Sequence, residues 1–216
     1  MFLCVIVDMI SKEYNVADTL KKEEIDPKTG TKTLRTYHPD NKTVWIEVVY
    51  VGGTKDGFHR CYYPNGVLYN EVPIKDDKPH GKWVYYHKDG VTVESETNFC
   101  FGTADGEQVG YHANGTLQHK ATLVKGKRIG VETWYYDDGV SIERMIEYSD
   151  DEKNGMEKGY RRNGTLDYEA MLKNGKWHGL VKYYAEDGQT IQSVREYDNG
   201  NGIDTYKHIN SSQGIC

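Results

Sequence analysis

The chain has 216 residues, a net charge of −6 and 37% hydrophobic residues, with a mean hydropathy of −0.77. An acidic balance of this size lacks the basic stripe that nucleic-acid binding or an anionic membrane surface needs. Aromatics at 12%, spread evenly, argue against disorder.

The opening Met1–Val7 is apolar but only seven residues long, too short to span a membrane and without the basic flank of a signal peptide. It reads as an edge strand. Residues 8–31 hold Tyr14, Leu20 and Ile25 near the places a decayed repeat would put them. From residue 32 the chain becomes periodic. Counting back 49 from Tyr86-His87-Lys88-Asp89 lands on Tyr37-His38-Pro39-Asp40, a degraded unit over roughly 32–56.

Six regular units follow, each Gly-x4-Tyr-x3-Gly: Gly57/Tyr62/Gly66, Gly81/Tyr86/Gly90, Gly106/Tyr111/Gly115, Gly130/Tyr135/Gly139, Gly155/Tyr160/Gly164 and Gly179/Tyr184/Gly188. The first glycines are 24, 25, 24, 25 and 24 residues apart, so the longer period is 49. A fixed period of this size marks a repeat array in which each unit needs its neighbours. The second glycine always follows Asn or Asp, as in Asn114-Gly115 and Asp138-Gly139. Asn-Gly and Asp-Gly between β-forming runs predict hairpins closed by two-residue type I′ turns. The first glycine is then expected in a looser connection between hairpins. The predicted fold class is all-β: an elongated single antiparallel meander sheet of tandem hairpins, with an N-terminal segment at 1–31, a repeat domain at 32–200 and a C-terminal strand and tail at 201–216.

Gly81-Lys-Trp-Val-Tyr-Tyr-His-Lys-Asp-Gly90 resembles the MORN repeat, and the connector Asn174-Gly-Lys-Trp-His-Gly179 is similar to its bacterial variant, found in YwqK-like proteins often labelled antitoxins. The resemblance covers about residues 32–200. It implies an elongated sheet of hairpins with a scaffold or binding role. The connectors at 99–105 and 148–154 depart from the Asn-Gly-Lys pattern, and residues 1–31 do not fit.

Side chains alternate between faces along a strand. Tyr62, Tyr86, Tyr111, Tyr135, Tyr160 and Tyr184, five residues after their glycines, therefore share one face and read as a structural ladder. The opposite face holds Tyr63, Trp83, Tyr85, Trp134, Tyr136 and Tyr183. Four residues after the glycines, small and large side chains alternate: Cys61, Tyr85, Gly110, Trp134, Gly159, Tyr183. Two explanations stand, a large ring spread over the gap a glycine leaves, or a row of aromatic ridges that contacts a partner. The six aromatics of this face are the candidate partner-binding residues.

No catalytic motif is present. The eight histidines and the acidic pairs Asp76-Asp77 and Asp150-Asp151 read as strand and turn residues, and the four cysteines show no paired spacing. The expectation is a non-catalytic protein-binding repeat protein, inhibitor- or antitoxin-like or a scaffold, cytoplasmic, without catalytic residues, metal or cofactor. Its expected partner is another protein rather than a nucleic acid, membrane or small molecule. The alternatives are a membrane- or lipid-associated scaffold, and an enzyme or metal protein with a site between repeats.

Overall fold

The computed structural model describes residues 20–208, with side chains placed as far as residue 203. The edge-strand reading of Met1–Val7 falls outside the described residues, as does the tail after residue 208. The chain divides into two compact units, Met1–Val91 and Thr92–Cys216. All regular structure among the described residues is β, and every pairing within each unit is antiparallel in hairpin order.

The first unit contains β1 (Lys21–Ile25), β2 (Lys32–Tyr37), β3 (Val44–Val51), β4 (Thr54–Tyr62), β5 (Leu68–Lys75), β6 (Lys78–Pro79) and β7 (Gly81–Tyr86). β6 and β7 are one path broken at His80, both pairing with β5. β1, from the segment assigned to the N-terminal region, pairs with β2 from Lys21↔Thr36 to Ile25↔Lys32. The second unit contains β8 (Val93–Cys100), β9 (Thr103–Tyr111), β10 (Leu117–Val124), β11 (Lys127–Tyr135), β12 (Ile142–Ser149), β13 (Glu152–Tyr160), β14 (Leu166–Lys173), β15 (Lys176–Trp177), β16 (Gly179–Tyr184), β17 (Ile191–Asp198) and β18 (Asn201–His208). The fold class and the hairpin repeat are those expected.

The turn assignment is reversed. The type I′ turns lie at the connectors, where two consecutive residues have positive φ: Gly52-Gly53, Asp76-Asp77, Phe101-Gly102, Lys125-Gly126, Asp150-Asp151, Asn174-Gly175 and Asn199-Gly200. Registers such as Val124↔Lys127 and Ser149↔Glu152 leave only those two residues in the loop. At the Asn-Gly and Asp-Gly sites only the glycine is left-handed, as at Gly115 with φ 82°. There the turn is of type I with glycine following it, closed by Gly115 N–H to the His112 carbonyl.

These longer loops explain the 24/25 alternation. The Asn-Gly loops hold three residues, closed by Tyr63 N–H to Val67 O, His112 N–H to Thr116 O and Arg161 N–H to Thr165 O. The Asp-Gly loops hold four, closed by Tyr136 N–H to Ser141 O and Ala185 N–H to Thr190 O. The extra residue sits at the tip, where Val91 and Val140 are each 80% exposed. The acid fits the longer loop because one carboxylate oxygen accepts two backbone N–H groups, from Val140 and Ser141 at Asp138. Hydrogen bonding, with the Ser141 side chain first, holds the Asp138 carboxyl down at about 2.

The first glycine of a unit is not in a loose connection: Gly57, Gly106, Gly130 and Gly155 lie inside a strand, and Gly81 and Gly179 open one. Val48 pairs with His59 and Tyr50 with Lys55, so three residues around Gly57 oppose Val49 alone. Gly57 has φ 118°, and an added Cβ would stand 3.3 Å from Val49. The same bulge recurs at Gly106 and Gly155, bending each strand locally.

Adjacent hairpins are joined at both ends. At the connector end, a turn N–H reaches back to an earlier carbonyl: Asp77 to Lys55, Gly126 to Ala104, Asp151 to Arg128, Gly175 to Lys153 and Gly200 to Trp177. At the other end, the side chain that follows a tyrosine of the repeat clasps the next such tyrosine's carbonyl at five junctions, two in the first unit and three in the second. His38 binds Tyr62 O at 3.0 Å, Tyr63 binds Tyr86 O at 3.3 Å, and His112 binds Tyr135 O at 3.2 Å. Tyr136 binds Tyr160 O at 2.7 Å and Arg161 binds Tyr184 O at 2.5 Å.

One face of each unit carries most of the buried apolar side chains, here termed the inner face. In the first unit it includes Val48, Cys61, Val72, Ile74 and Trp83, and in the second Phe99, Ala121, Leu123, Ile146, Tyr148, Ala170, Leu172 and Val181. These lie two or four residues from the repeat glycines, or directly opposite such positions. In the first unit the outer face bears a charge ladder across five strands, Glu24–Arg35–Glu47–Arg60–Glu71, with N···O separations of 2.5–3.2 Å.

Candidate functional site

The inner face of the second unit is built around two glycines. On β9, a Cβ at Gly110 would collide with the His119 ring of β10. That imidazole lies flat over the glycine and stacks on Trp134 of β11, with centroids 4.7 Å apart and planes 26° apart. On β13, Gly159 makes the same room for Tyr168 of β14. Tyr168 in turn meets Trp177 at 5.5 Å and Tyr183 at 6.4 Å, and Trp177 meets Tyr197 at 5.2 Å. Each of these two glycines thus seats a ring from the neighbouring strand, His119 or Tyr168, rather than one of the large residues of the alternating series.

Charged groups are set among the rings. Glu132 on β11 and Glu157 on β13 both pair with Ile146 of β12 and are only 5% and 6% exposed. A carboxylate buried so far needs partners. Glu157 accepts the Tyr168 hydroxyl at 2.6 Å and the Trp177 indole N–H at 3.3 Å, with Arg144 at 4.0 Å. Glu132 has Arg128 at 3.8 Å and faces Tyr148. Burial, followed by the charge of Glu132, pushes the Tyr148 hydroxyl well above the usual phenol range. Arg128 lies 4.3 Å over the Tyr148 ring, donates to its hydroxyl at 3.1 Å and donates to Asp151 at 2.8 Å.

Beside this network lies an open hollow of about 430 Å³, lined by Arg128, Glu132, Trp134, Arg144, Tyr148, Asp151, Glu152, Lys153, Asn174 and Gly175. Its lining residues Tyr148 and Trp134 belong to an apolar cluster with Ile146, Leu172 and Trp177. Arg144 reaches over the Trp134 ring at 5.8 Å.

The six aromatics expected at a contact surface are distributed unevenly. Trp134 and Tyr183 lie half-buried on this inner face. Tyr63 and Tyr136 belong to the clasps between hairpins. In the first unit Trp83 is 8% exposed and stacks on Tyr85 at 5.3 Å. It is a core residue that presents little surface, because its even position faces the buried side. The ladder tyrosines stand on the outer face opposite aliphatic partners across a bulge: Tyr62↔Leu68, Tyr111↔Leu117, Tyr135↔Ile142, Tyr160↔Leu166 and Tyr184↔Ile191. The Tyr86 hydroxyl and ring lie half-buried.

Sequence reasoning passed over Arg128, Glu132, Arg144, Tyr148, Glu157 and Tyr168. The available signal was Glu132 and Glu157, each two residues after a repeat glycine, where the other units carry His59, Trp83, Gln108 and Val181. Among the described residues no group of three His, Cys, Asp or Glu side chains is placed to hold a metal ion.

Residues 55–76 and 104–125 each match the MORN repeat variant. Each match covers one hairpin with its Asn-Gly loop, β4–β5 and β9–β10, and the two begin 49 residues apart. No curated protein matches the chain. Repeats of this variant suggest a binding or scaffold module built from tandem hairpins. At these two hairpins, one 49-residue period apart, the chain is similar to the MORN repeat variant.

Proposed function

We propose that the protein is a non-catalytic, protein-binding repeat module whose contact surface is the inner face of the second unit. The observation that carries this reading is the hollow lined by Trp134, Arg144 and Tyr148, where aromatic and guanidinium groups stand together. Tyr, Trp and Arg are the residues that anchor protein interfaces. Packed in place, the Trp134 and Tyr148 rings lose little conformational entropy on binding. An inhibitor- or antitoxin-like role follows where the bound surface of the partner is its active one, and a scaffold role where it is not.

The test is affinity capture with the tagged protein, comparing two pairs of variants with unchanged melting behaviour. Arg144→Ala and Arg195→Glu alter the inner face, Arg195 being paired with buried Val181 and lying 5.3 Å over the Tyr197 ring, whereas Met171→Ala and Leu180→Ala alter exposed apolar residues of the outer face. The reading expects a partner captured by wild type and both outer-face variants but lost from the inner-face variants. Loss from the outer-face variants instead transfers the contact to the outer face, and the proposal then fails.

A further inference from the structure

Resting on that reading, we infer that the hollow of the second unit receives a carboxylate-bearing peptide segment, with Arg144 and Lys153 as the recognising cations. The argument is an accounting of charges. Arg128 is committed to Asp151 at 2.8 Å, with Glu132 at 3.8 Å. Glu157, the carboxylate nearest Arg144, is already held by the Tyr168 hydroxyl and the Trp177 indole. That leaves Arg144 with one ion-pair contact at 4.0 Å and no side-chain hydrogen bond among the described residues. The ammonium of Lys153, a half-buried residue beside Tyr148 on the neighbouring strand, has neither a hydrogen bond nor an ion pair among them.

Two cations therefore line a hollow with their hydrogen-bonding capacity unused. Of the acidic lining residues, Glu132 and Asp151 are engaged with Arg128, and Glu152 is exposed beside the Asp150-Asp151 turn. An incoming carboxylate meets an N–H fork from Arg144 and a point charge from Lys153, with the Trp134 ring as an apolar wall. A lysine or arginine of a partner would instead meet two uncommitted cations. The cavity, at about 430 Å³, exceeds the volume of one acidic side chain, so a short run of residues is the better fit.

The experiment uses the full chain and two blocked tetrapeptides, one of glutamate and one of lysine, followed by indole fluorescence and calorimetry at low and at physiological salt. The tetraglutamate is expected to bind and to weaken with salt, and Arg144→Gln or Lys153→Gln to reduce its affinity at least tenfold. Arg144→Lys is expected to retain part of it. Failure of tetraglutamate to bind, or undiminished binding by both glutamine variants, overturns the inference. So does preferential binding of tetralysine that is lost in Glu152→Gln. Because the protein partner is captured independently, a partner lost in Arg195→Glu without tetraglutamate binding removes this inference and leaves the contact surface standing.

Discussion

His59 lies on the apolar inner face of the first unit, paired across the strands with Val48 and Val72. Burial, with a smaller contribution from Lys55, pulls its pKa down to about 4. The fold therefore favours the neutral ring, and in the unfolded chain the ring charges near pH 6.5. The stability this neutral ring confers is complete above that pH and is lost as the pH falls from about 6.5 toward 4, by on the order of 2–3 kcal/mol. Denaturant midpoints measured across this range are expected to fall more steeply for wild type than for His59→Gln, and parallel curves would refute the assignment. Cys61 on the same face, 4.0 Å from His59, is no nucleophile: burial pushes its thiol up to about 12.

At the loop end, one side chain fastens a hairpin to the next at five junctions, so the clasp contributes to the strength of each of them. Tyr136→Phe keeps the ring but removes the hydroxyl that donates to the Tyr160 carbonyl. The expected cost is about 1–2 kcal/mol, since a part-buried carbonyl loses its partner, read as a lower melting temperature. The equivalent change at an exposed position should be neutral. A second prediction concerns the loops. Deleting Val140 together with Asp138→Asn and Ser141→Thr converts the four-residue loop into the form found at 113–116. Both loop lengths leave the tyrosine that precedes the loop and the aliphatic that follows it paired, Tyr135↔Ile142 as Tyr111↔Leu117. The shortened protein is thus expected to melt within a few degrees of wild type. Deletion of Met145 from β12 should be far more damaging, because it turns the rest of the strand over. Equal losses would show that loop length is not the source of the 24/25 step.

At the scale of the whole molecule, each repeat contacts its sequence neighbours, so stability is distributed along the array. Excising residues 106–154 removes one 49-residue period and joins Asp105 to Gly155, the same type of junction the chain already has at Asn154-Gly155. The shortened chain is expected to keep an all-β circular dichroism spectrum and a cooperative melt. It lacks most of β9, all of β10 to β12 and every lining residue of the hollow but Asn174 and Gly175, and so should lose the partner. A chain that fails to fold would show that the hairpin pairs are not interchangeable.

The sequence by itself determined the hairpin array, its period and the face each aromatic takes, because glycine spacing and period-two alternation are local properties of the backbone. It also marked the places where the chain turns. It did not determine which turn is which. Asn-Gly and Asp-Gly satisfy a type I′ turn and a type I turn with a following left-handed glycine equally well. Asp76-Asp77 and Phe101-Gly102 carry no strong type I′ signal, and strand register imposes that conformation on them. Nor did the sequence decide which face is buried, since Trp83 and the ladder tyrosines are alike in composition. The tertiary structure decided it, through the bulges at the repeat glycines and the rings seated over Gly110 and Gly159. The gathering of Arg128, Glu132, Arg144, Tyr148 and Lys153 around one hollow follows from pairings across β11, β12 and β13. Residues far apart in the chain meet only when those registers are fixed, and no single stretch of sequence encodes that meeting.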